Sequence, residues 1–481
     1  MPDGEFPAHH GNRPPAGDGI GRGRLRRTAP LAGLGARTAG EAVVAALRHK
    51  VTGASTAEFH ARNAERYAEL LGRSKGVMMK AGQMLSFVSA GPAVPAEFRT
   101  VYRTAMARLQ GDAPPMHPDL ARAVLEHELG RRTEEVFAEF EWVPLAAASI
   151  GQVHAARLRD GRRVAVKIQY PGAADAICAD LENTELLATF FALVGAVVPG
   201  GLQMDLRGGS KEIEARITEE LDYRLEAANQ AEFGDIYRGH PFIHVPRVIG
   251  ELCTGRVLTQ ELIEGRGWAD ALGAPRELRD QWGEAIYRFC WGTINRHGMF
   301  NADPHPGNYL FHDDGTVSFL DFGCVKRFRP DQVAMMNAIW GAALRGDASA
   351  IWQSSVEAGL YRSTDDVTPE EVLAYWRETA EYCWGKQPFT ITPEYVASCI
   401  ERGYSPTGPS GRAMRRLAAP GDFAFLMRID LGLMSVLGEL RTTTDWGSID
   451  HEHREGKPPT TPMGKLEHDF LQQLAPSSHH A

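Results

Sequence analysis

The segment NADPHPGNYLFHDDGTVSFLDFG, residues 301–323, combines a proline-rich loop with a predicted hairpin and three polar residues of chemical interest. Its first eight residues include two prolines and a glycine, so they predict a loop that cannot be helical throughout. The following residues alternate around an Asp-Gly pair, which predicts a β-hairpin. Asp303 and Asn308 lie five residues apart in the loop, and Asp321 ends the second hairpin strand. Carboxylate and amide oxygens so placed can position a reacting oxygen and help to hold Mg²⁺.

Two upstream segments supply a cation and a run of small residues. Lys167 lies in the middle of the apolar strand VAVKIQ, where burial would demand a negative partner. Before it, LAAASIGQV at 145–153 leads into a strand, and an Asp-Gly turn at 160–161 joins the two strands. Small side chains let backbone N–H groups approach phosphate oxygens, although such a run also suits plain packing. The candidate phosphate-binding residues in it are Ala146, Ala147, Ala148 and Ser149.

Taken in order, these residues match the working parts of a protein-kinase-like phosphoryl-transfer site. The order is a strand lysine, a loop aspartate with an asparagine five residues on, and a DFG sequence whose aspartate is eighteen residues after the loop aspartate. Such a site neutralises and aligns a triphosphate. Lys167 is then predicted to contact the α- and β-phosphates, Asp321 and Asn308 to hold Mg²⁺, and Asp303 to lie where an acceptor hydroxyl or water arrives.

A carboxylate on a following helix is expected to pair with Lys167. The segment TEELDYRLEAANQ, residues 218–230, contains four candidates. Asp222 and Glu226 would share one helical face at i,i+4 spacing. Spacing alone does not choose among Glu219, Glu220, Asp222 and Glu226.

Composition narrows the class of protein. The 481 residues are 43% hydrophobic and 23% charged, which indicates a folded protein without many membrane spans. The net charge of −9 argues against a nucleic-acid partner. Six cysteines without CxxC spacing predict neither a disulfide framework nor a zinc site. The start of the chain has no signal-peptide pattern, so we expect a cytoplasmic protein. The uncharged run Leu186–Leu202 predicts a buried or interfacial helix rather than a membrane span.

Composition shifts and periodicity divide the chain into five predicted parts. Within them, we expect a helix at Pro118–Gly130 and two short strands within Pro246–Glu264. His305 is predicted to hydrogen-bond its own loop, and Trp268, Trp282, Trp291 and Trp340 are predicted to be core residues. The parts are a disordered basic arm at 1–38, an N-terminal helical extension at 39–130, a strand-containing region with a helical insertion at 131–265, a mostly helical region at 266–450 and a flexible tail at 451–481 that ends in a possible short helix.

The sequence resembles the atypical kinase-like family called ABC1, AarF, ADCK or UbiB, from about Gly72 to Lys326 and more weakly to about Leu440. The family's KxGQ signature appears as Lys80-Ala81-Gly82-Gln83, and the small-residue loop as AAASIGQVHAA. The ExD signature appears as Glu220-Leu221-Asp222, followed by EAxN at 226–229. NADPHPGN and LDFG complete the set of motifs.

The resemblance implies an α+β, protein-kinase-like fold of two lobes, with a small β-containing N-lobe, a mostly helical C-lobe and an N-terminal extension that covers the cleft. It implies that Lys80 and Gln83 point into the active site near Glu220 and Asp222, and that Glu226 pairs with Lys167. It also implies ATP or ADP with Mg²⁺ as cofactors. Further implied are peripheral contact with the inner face of the membrane or with a lipid or quinone, and partners in a biosynthetic complex.

The leading functional hypothesis is an ATP- and Mg²⁺-dependent ATPase, or a kinase of small molecules or lipids, that supports isoprenoid quinone or other lipid metabolism. An alternative is a catalytically quiet, nucleotide-binding regulatory module of a biosynthetic complex. A third is a protein kinase. It is disfavoured because CVKRFRPDQVAMMN after the DFG has no long activation segment and no Ala-Pro-Glu sequence.

Overall fold

A computed structural model of the chain describes residues 115–148, 150–181, 221–404, 410–418 and 421–474. The described strands are β1 Phe137–Phe140, β2 Ala146–Ala148, β3 Gly151–Leu158, β4 Arg163–Gln169, β5 Ile243–His244, β6 Val257–Glu261, β7 Met299–Asn301, β8 Tyr309–Phe311, β9 Val317–Phe319, β10 Val325–Arg327, β11 Phe389–Thr390 and β12 Thr443–Thr444.

Helices make up most of the second half of the described chain. They are α1 Pro118–Leu129, α2 Thr133–Val136, α3 Ala173–Leu181, α4 Tyr223–Ile236, α5 Trp268–Leu272, α6 Arg276–Tyr287, α7 Thr293–His297, α8 Pro330–Arg345, α9 Ala348–Glu357, α10 Pro369–Thr379, α11 Glu381–Trp384, α12 Pro393–Tyr404, α13 Gly411–Arg416, α14 Gly421–Leu440, α15 Trp446–Glu455 and α16 Pro462–Leu474. Short 3-10 turns occur at Gly250–Leu252 and Pro306–Asn308, and a π-helical turn at Arg288–Gly292.

The N-lobe is built on an antiparallel sheet with strand order β1-β3-β4-β6, and β2 also pairs with β3. Strand β4, which contains Lys167, pairs with β3 on one side and with β6 on the other. Lys167 lies opposite Val153 of β3 and opposite Leu258 of β6. The predicted hairpin around Asp160-Gly161 is confirmed as β3 and β4. The sheet thus holds Lys167 in a fixed register.

Helix α1 confirms the helix predicted at 118–130. Proline at its first position has no N–H to lose there, and Gly130 ends the helix with a left-handed φ of 62°. Ala121 and Leu125, one turn apart, are fully buried against the N-lobe core. The chemistry of the two ends and the buried stripe therefore account for both the helix and its position.

The prediction of two short strands within 246–264 is wrong in its first half. Only β6 is a strand, because residues 249–253 close a 3-10 turn instead. Leu252 N–H donates to the Ile249 carbonyl at 2.9 Å, and Cys253 N–H donates to the Gly250 carbonyl at 3.1 Å. Backbone groups used within the turn cannot extend a ladder, so Val248 makes one isolated bridge to Gln260.

In the C-lobe, helices surround a small sheet. Strands β8 and β9 form the predicted hairpin, and β5 adds to β9 in parallel. The aromatic core around it is extensive, and Trp282 at its centre is fully buried with Nε1 donating to the His312 carbonyl at 3.0 Å. The prediction that the tryptophans are core residues is confirmed, since Trp291 belongs to this core and Trp268 and Trp340 pack against it.

The segment after residue 450 is structured as far as Leu474, which corrects the prediction of a flexible tail for that part. Helix α16 docks through Glu467, which is fully buried. Arg288 of the π-helical turn, also fully buried, donates to Glu467 at 2.9 Å, and Arg296 donates to the same carboxylate at 2.5 Å. A buried ion cluster therefore fastens α16 to the C-lobe.

No helix in the described ranges is long and apolar enough to cross a membrane. The apolar run predicted as a helical insertion, 186–202, lies outside the residues that the structure describes. The α+β, two-lobe architecture predicted for the fold is confirmed, because the sheet-based N-lobe and the helical C-lobe each have their own core.

Candidate functional site

An ion pair between strand β4 and helix α4 lies at the centre of the site. Lys167 Nζ lies 2.8 Å from Glu226 Oε1 and 2.9 Å from Oε2. The two side chains are only 16% and 4% exposed. Helix α4 presents Glu226 because Asp222 caps its start, with a carboxylate oxygen accepting from Arg224 N–H at 3.0 Å.

Asp321 approaches the same lysine from the C-lobe. Its Oδ2 lies 3.3 Å from Lys167 Nζ, and its Oδ1 accepts from Gly323 N–H at 2.9 Å. Phe322 between them is fully buried against Phe233, with ring centroids 5.0 Å apart. Burial of this phenylalanine fixes the backbone, so the carboxylate of Asp321 is directed at Lys167.

Electrostatics keep Lys167 charged. Burial alone would lower the pKa of this lysine, but the carboxylates of Asp321 and Glu226 outweigh that effect and raise its pKa well above the ordinary value. The Tyr223 ring centroid, 4.9 Å from Nζ, adds a favourable cation–π contact. The site therefore contains a permanent positive charge between two carboxylates.

Asp303 and Asn308 face each other within one loop. Asn308 Nδ2 donates to the Asp303 carbonyl at 3.0 Å and to Asp303 Oδ2 at 3.3 Å. Because the amide nitrogen is the donor, the amide oxygen of Asn308 is the atom suited to a cation. His305 Nδ1 accepts from Gly307 N–H at 3.0 Å at the start of the 3-10 turn, which confirms that this histidine holds its own loop.

Two asparagines that the sequence reasoning did not select connect these parts. Asn301 Nδ2 donates to the Asp321 carbonyl at 2.7 Å, and its Oδ1 accepts from Asp303 N–H at 3.4 Å. Asn229 Nδ2 donates to the Phe322 carbonyl at 3.1 Å. Both are at most 9% exposed. The sequence motifs could have indicated both residues, since Asn301 is the first residue of NADPHPGN and Asn229 is the last residue of EAxN.

The small-residue segment forms an edge strand rather than a free loop. Ala146 pairs with Val153 and Ala148 pairs with Gly151, while Ala146 and Ala147 are exposed. A Cβ at Gly151 would overlap the carbonyl oxygen of Ile168, which explains the glycine there. Contact of the three alanines with phosphate stays a prediction.

The structure separates Asp222 from Glu226, contrary to the shared helical face considered from the spacing. Asp222 precedes α4 as its N-cap and is exposed, whereas Glu226 is in the first turn and buried. Of the acidic candidates that the structure describes, Glu226 is the partner of Lys167, as the resemblance implied. The predicted site residues Lys80, Gln83, Ser149 and Glu220 lie outside the described residues, and so does Glu219.

Comparison with known protein families identifies the chain's relatives. The model of the ABC1 atypical kinase-like domain matches residues 108–355, more than half of the 481 residues. This chain belongs to the ABC1 family. The family assignment agrees with the resemblance carried by the KxGQ, ExD, NADPHPGN and LDFG motifs.

Named relatives of this ABC1 chain include two mitochondrial proteins. Atypical kinase COQ8B of Rattus norvegicus is 35% identical over 294 residues, which are 61% of this chain and 54% of the rat protein. Atypical kinase COQ8 of Saccharomyces cerevisiae is 31% identical over 298 residues, 62% of this chain and 57% of the yeast protein. The chain thus spans about half the length of these curated relatives.

A solved structure gives fuller coverage of the ABC1 chain. It is the complex of Rv3197 with erythromycin from Mycobacterium tuberculosis, with a TM-score of 0.60 and 32% sequence identity. The match covers 82% of this chain and 97% of the other. The kinase-like fold is therefore shared over nearly the whole of that protein.

The donor set of the ABC1 site fits a magnesium nucleotide. The carboxylate of Asp321 and the amide oxygen of Asn308 are hard oxygen donors of the kind that Mg²⁺ prefers, and Lys167 supplies a cation of the kind that binds phosphate oxygens. The chain runs from Gly323 through β10 directly into α8, which begins at Pro330. Strand β10 pairs with β7, so these residues form a short strand in place of a peptide-docking activation segment.

Proposed function

We propose that this ABC1 chain is an ATP- and Mg²⁺-dependent phosphotransferase or ATPase that transfers the terminal phosphoryl group to water or to a small-molecule or lipid acceptor. The observation that carries the proposal is the contact of Lys167 with both Glu226, at 2.8 Å, and Asp321, at 3.3 Å. In kinase-like sites this lysine–glutamate pair and the DFG aspartate must both be in place for phosphoryl transfer.

Each residue would have a separate role. Lys167 would contact the α- and β-phosphates, held in position by Glu226. Asp321 and Asn308 would hold Mg²⁺, which when bound neutralises phosphate charge. Asp303, hydrogen-bonded to Asn308, would orient the acceptor hydroxyl or water and accept its proton.

The cellular role belongs to the same proposal. By the family resemblance, the chain would support isoprenoid quinone or other lipid metabolism, with peripheral contact at the inner face of the membrane and partners in a biosynthetic complex. From the same resemblance, the helices that carry KxGQ would cover the cleft, and Lys80 and Gln83 would point into the active site. Lys80→Ala should therefore change turnover more than the melting temperature.

The test is phosphate release from ATP and Mg²⁺, with and without anionic liposomes. Asp321→Asn should lower turnover on the order of 10²-fold or more, because an amide ligates Mg²⁺ more weakly than a carboxylate. Asp366→Asn is the matched control, since Asp366 is an exposed aspartate in the loop before α10.

The outcomes separate the three hypotheses. Turnover that is lost in Asp321→Asn, retained in Asp366→Asn and raised by liposomes supports the proposal. Mg²⁺-dependent nucleotide binding without turnover would instead support a regulatory module, and a labelled protein product would support a protein kinase. Unchanged metal-dependent affinity in Asp321→Asn would refute the assignment of Asp321.

A further inference from the structure

A small cavity among the C-lobe helices lies apart from the phosphoryl-transfer site. It has a volume of about 50 Å³ and is lined by residues of α8, α10, α12 and α14. Three of these residues are aromatic, Trp340, Tyr375 and Trp376, and one is acidic, Asp430. None of the site residues described above lines it. The cavity thus combines ring surfaces with a single carboxylate.

The three rings are held nearly perpendicular to their neighbours. Trp340 and Trp376 have centroids 6.3 Å apart at an interplanar angle of 82°, and Tyr375 and Trp376 are 5.8 Å apart at 78°. Trp340 is further fixed by Nε1, which donates to Asp450 Oδ2 at 2.7 Å. Rings fixed at such angles form a preorganised corner whose π faces attract cations.

Trp340 already contacts a cation of the protein. The Arg454 guanidinium lies 5.1 Å from the Trp340 ring centroid and 4.9 Å from that of Trp291. Arg454 is engaged with Asp450, whose Oδ1 accepts from its Nε at 3.4 Å. The described contacts therefore pair this arginine with Asp450 rather than with Asp430.

Asp430 is the unexplained polar group of this region. Its Oδ1 is buried, and none of the described residues donates a hydrogen bond to it. A buried carboxylate oxygen without a donor is costly, so such a group commonly indicates a ligand. Burial, together with the nearby Asp450, raises the pKa of Asp430 to about 7, and Arg454 opposes the shift. The Asp430 carboxylate in turn raises the pKa of the Cys290 thiol and of the Tyr382 hydroxyl.

We propose that this cavity binds a small organic ammonium cation, whose N–H groups donate to Asp430 and whose alkyl part contacts the rings of Trp340, Tyr375 and Trp376. A cavity of about 50 Å³ holds roughly three or four water-sized groups, which is enough for methylammonium or the ammonium end of a longer amine. One carboxylate among aromatic walls would leave the coordination shell of a metal cation mostly unfilled.

Calorimetric titration of the whole chain tests the proposal. The probes are methylammonium chloride, potassium chloride at equal ionic strength, and methanol as a neutral molecule of similar size. We expect saturable binding of methylammonium alone, weakened at least tenfold in Asp430→Asn and unchanged in the exposed control Asp366→Asn. With the pKa of Asp430 near 7, affinity should rise about tenfold from pH 6 to pH 8.

Further arms separate the sources of the ammonium group. Binding of methylammonium but not hexylammonium indicates a free small amine, and binding of both indicates the end of a longer molecule; either result supports the site. If Asp430→Asn does not fold, Trp376→Phe takes its place and should weaken binding. Equal binding to wild type and the variant, or an equal response to potassium or methanol, would overturn the proposal.

Discussion

Substitutions of Lys167 and Glu226 should show that the two side chains contribute to stability through a strong interaction with each other. The perturbation is a double-mutant cycle with Lys167→Met, Glu226→Gln and the double variant, which isolates the energy of the pair from other effects. Lys167→Met removes the cation that contacts both Glu226 and Asp321, so it should be the more damaging single change. Glu226→Gln leaves the lysine 3.3 Å from Asp321 and should cost less.

The magnitude follows from the geometry. At 2.8 Å and an effective dielectric constant of about 20, two unit charges attract by about 6 kcal/mol. The cost of removing each charge from water cancels in the cycle, but Asp321 also contacts the lysine, so we expect a coupling below this value, about 2–4 kcal/mol. Lys167→Met alone should lower the free energy of unfolding by about 3–5 kcal/mol, the usual cost of removing one partner from a buried ion pair.

The assay is urea unfolding of the four proteins at neutral pH, followed by tryptophan fluorescence. The matched control is the same cycle on Arg163 and Glu264, an ion pair whose side chains are 59% and 73% exposed. Solvent screening should leave that control pair with little coupling. A coupling for Lys167 and Glu226 no larger than that of the control would refute the argument that burial makes this pair strong.

Three further changes test other parts of the fold. Arg288→Met should destabilise the protein by about 3–5 kcal/mol and increase hydrogen exchange in α16, because it leaves buried carboxylates without their cation. Gly151→Ala should lower the melting temperature, since its Cβ would also lie 2.9 Å from the Tyr223 hydroxyl, whereas Gly250→Ala has open space. Asp430→Asn should stabilise the protein by up to about 4 kcal/mol at pH 8, because the folded-state pKa is raised from 3.8 to about 7.

A different measurement can contradict each of these three predictions. For the raised carboxyl pKa of Asp430, the favourable contribution of its protonated form is complete below pH 3.8 and is lost as the pH rises through about 7. The difference in stability between wild type and Asp430→Asn should therefore grow across that interval, and a constant difference would argue against the shift. Unaltered exchange in α16 after Arg288→Met would show that the ion cluster does not hold the helix. Equal melting of the two alanine variants would contradict the steric argument at residue 151.

Local patterns predicted much of the fold because their causes are local. The hairpin at 160–161 follows from an Asp-Gly turn between alternating strands, and helix α1 follows from Pro118, Gly130 and an apolar stripe. The same reasoning failed at 249–253, where a 3-10 turn used the backbone groups that a strand would have paired. It also missed the packing of the segment after residue 450, because no local pattern encodes the contact of Glu467 with Arg288.

For the candidate site, too, some features were predicted from the sequence and others were not. Motif spacing predicted Lys167, Asp303, Asn308 and Asp321 as one set, and the structure brings Lys167 to Asp321 and Asn308 to Asp303. Spacing did not select the hydrogen bonds of Asn301, because a polar side chain in a loop has many available partners until the surrounding backbone is in place.

The amino-acid sequence alone was enough to predict both hairpins and the order of the chemistry-bearing residues, because turns, strand alternation and motif spacing act over short stretches of chain. The two-lobe kinase-like class followed from the resemblance that those motifs carry. Tertiary structure decided which described carboxylate meets Lys167, how Asn301 and Asn229 hold the segment around Asp321, and that Asp430 lies in an aromatic cavity. Those contacts join residues 20 to 93 positions apart or lie between separate helices. They depend on burial and on the closure of long loops, which no local pattern encodes.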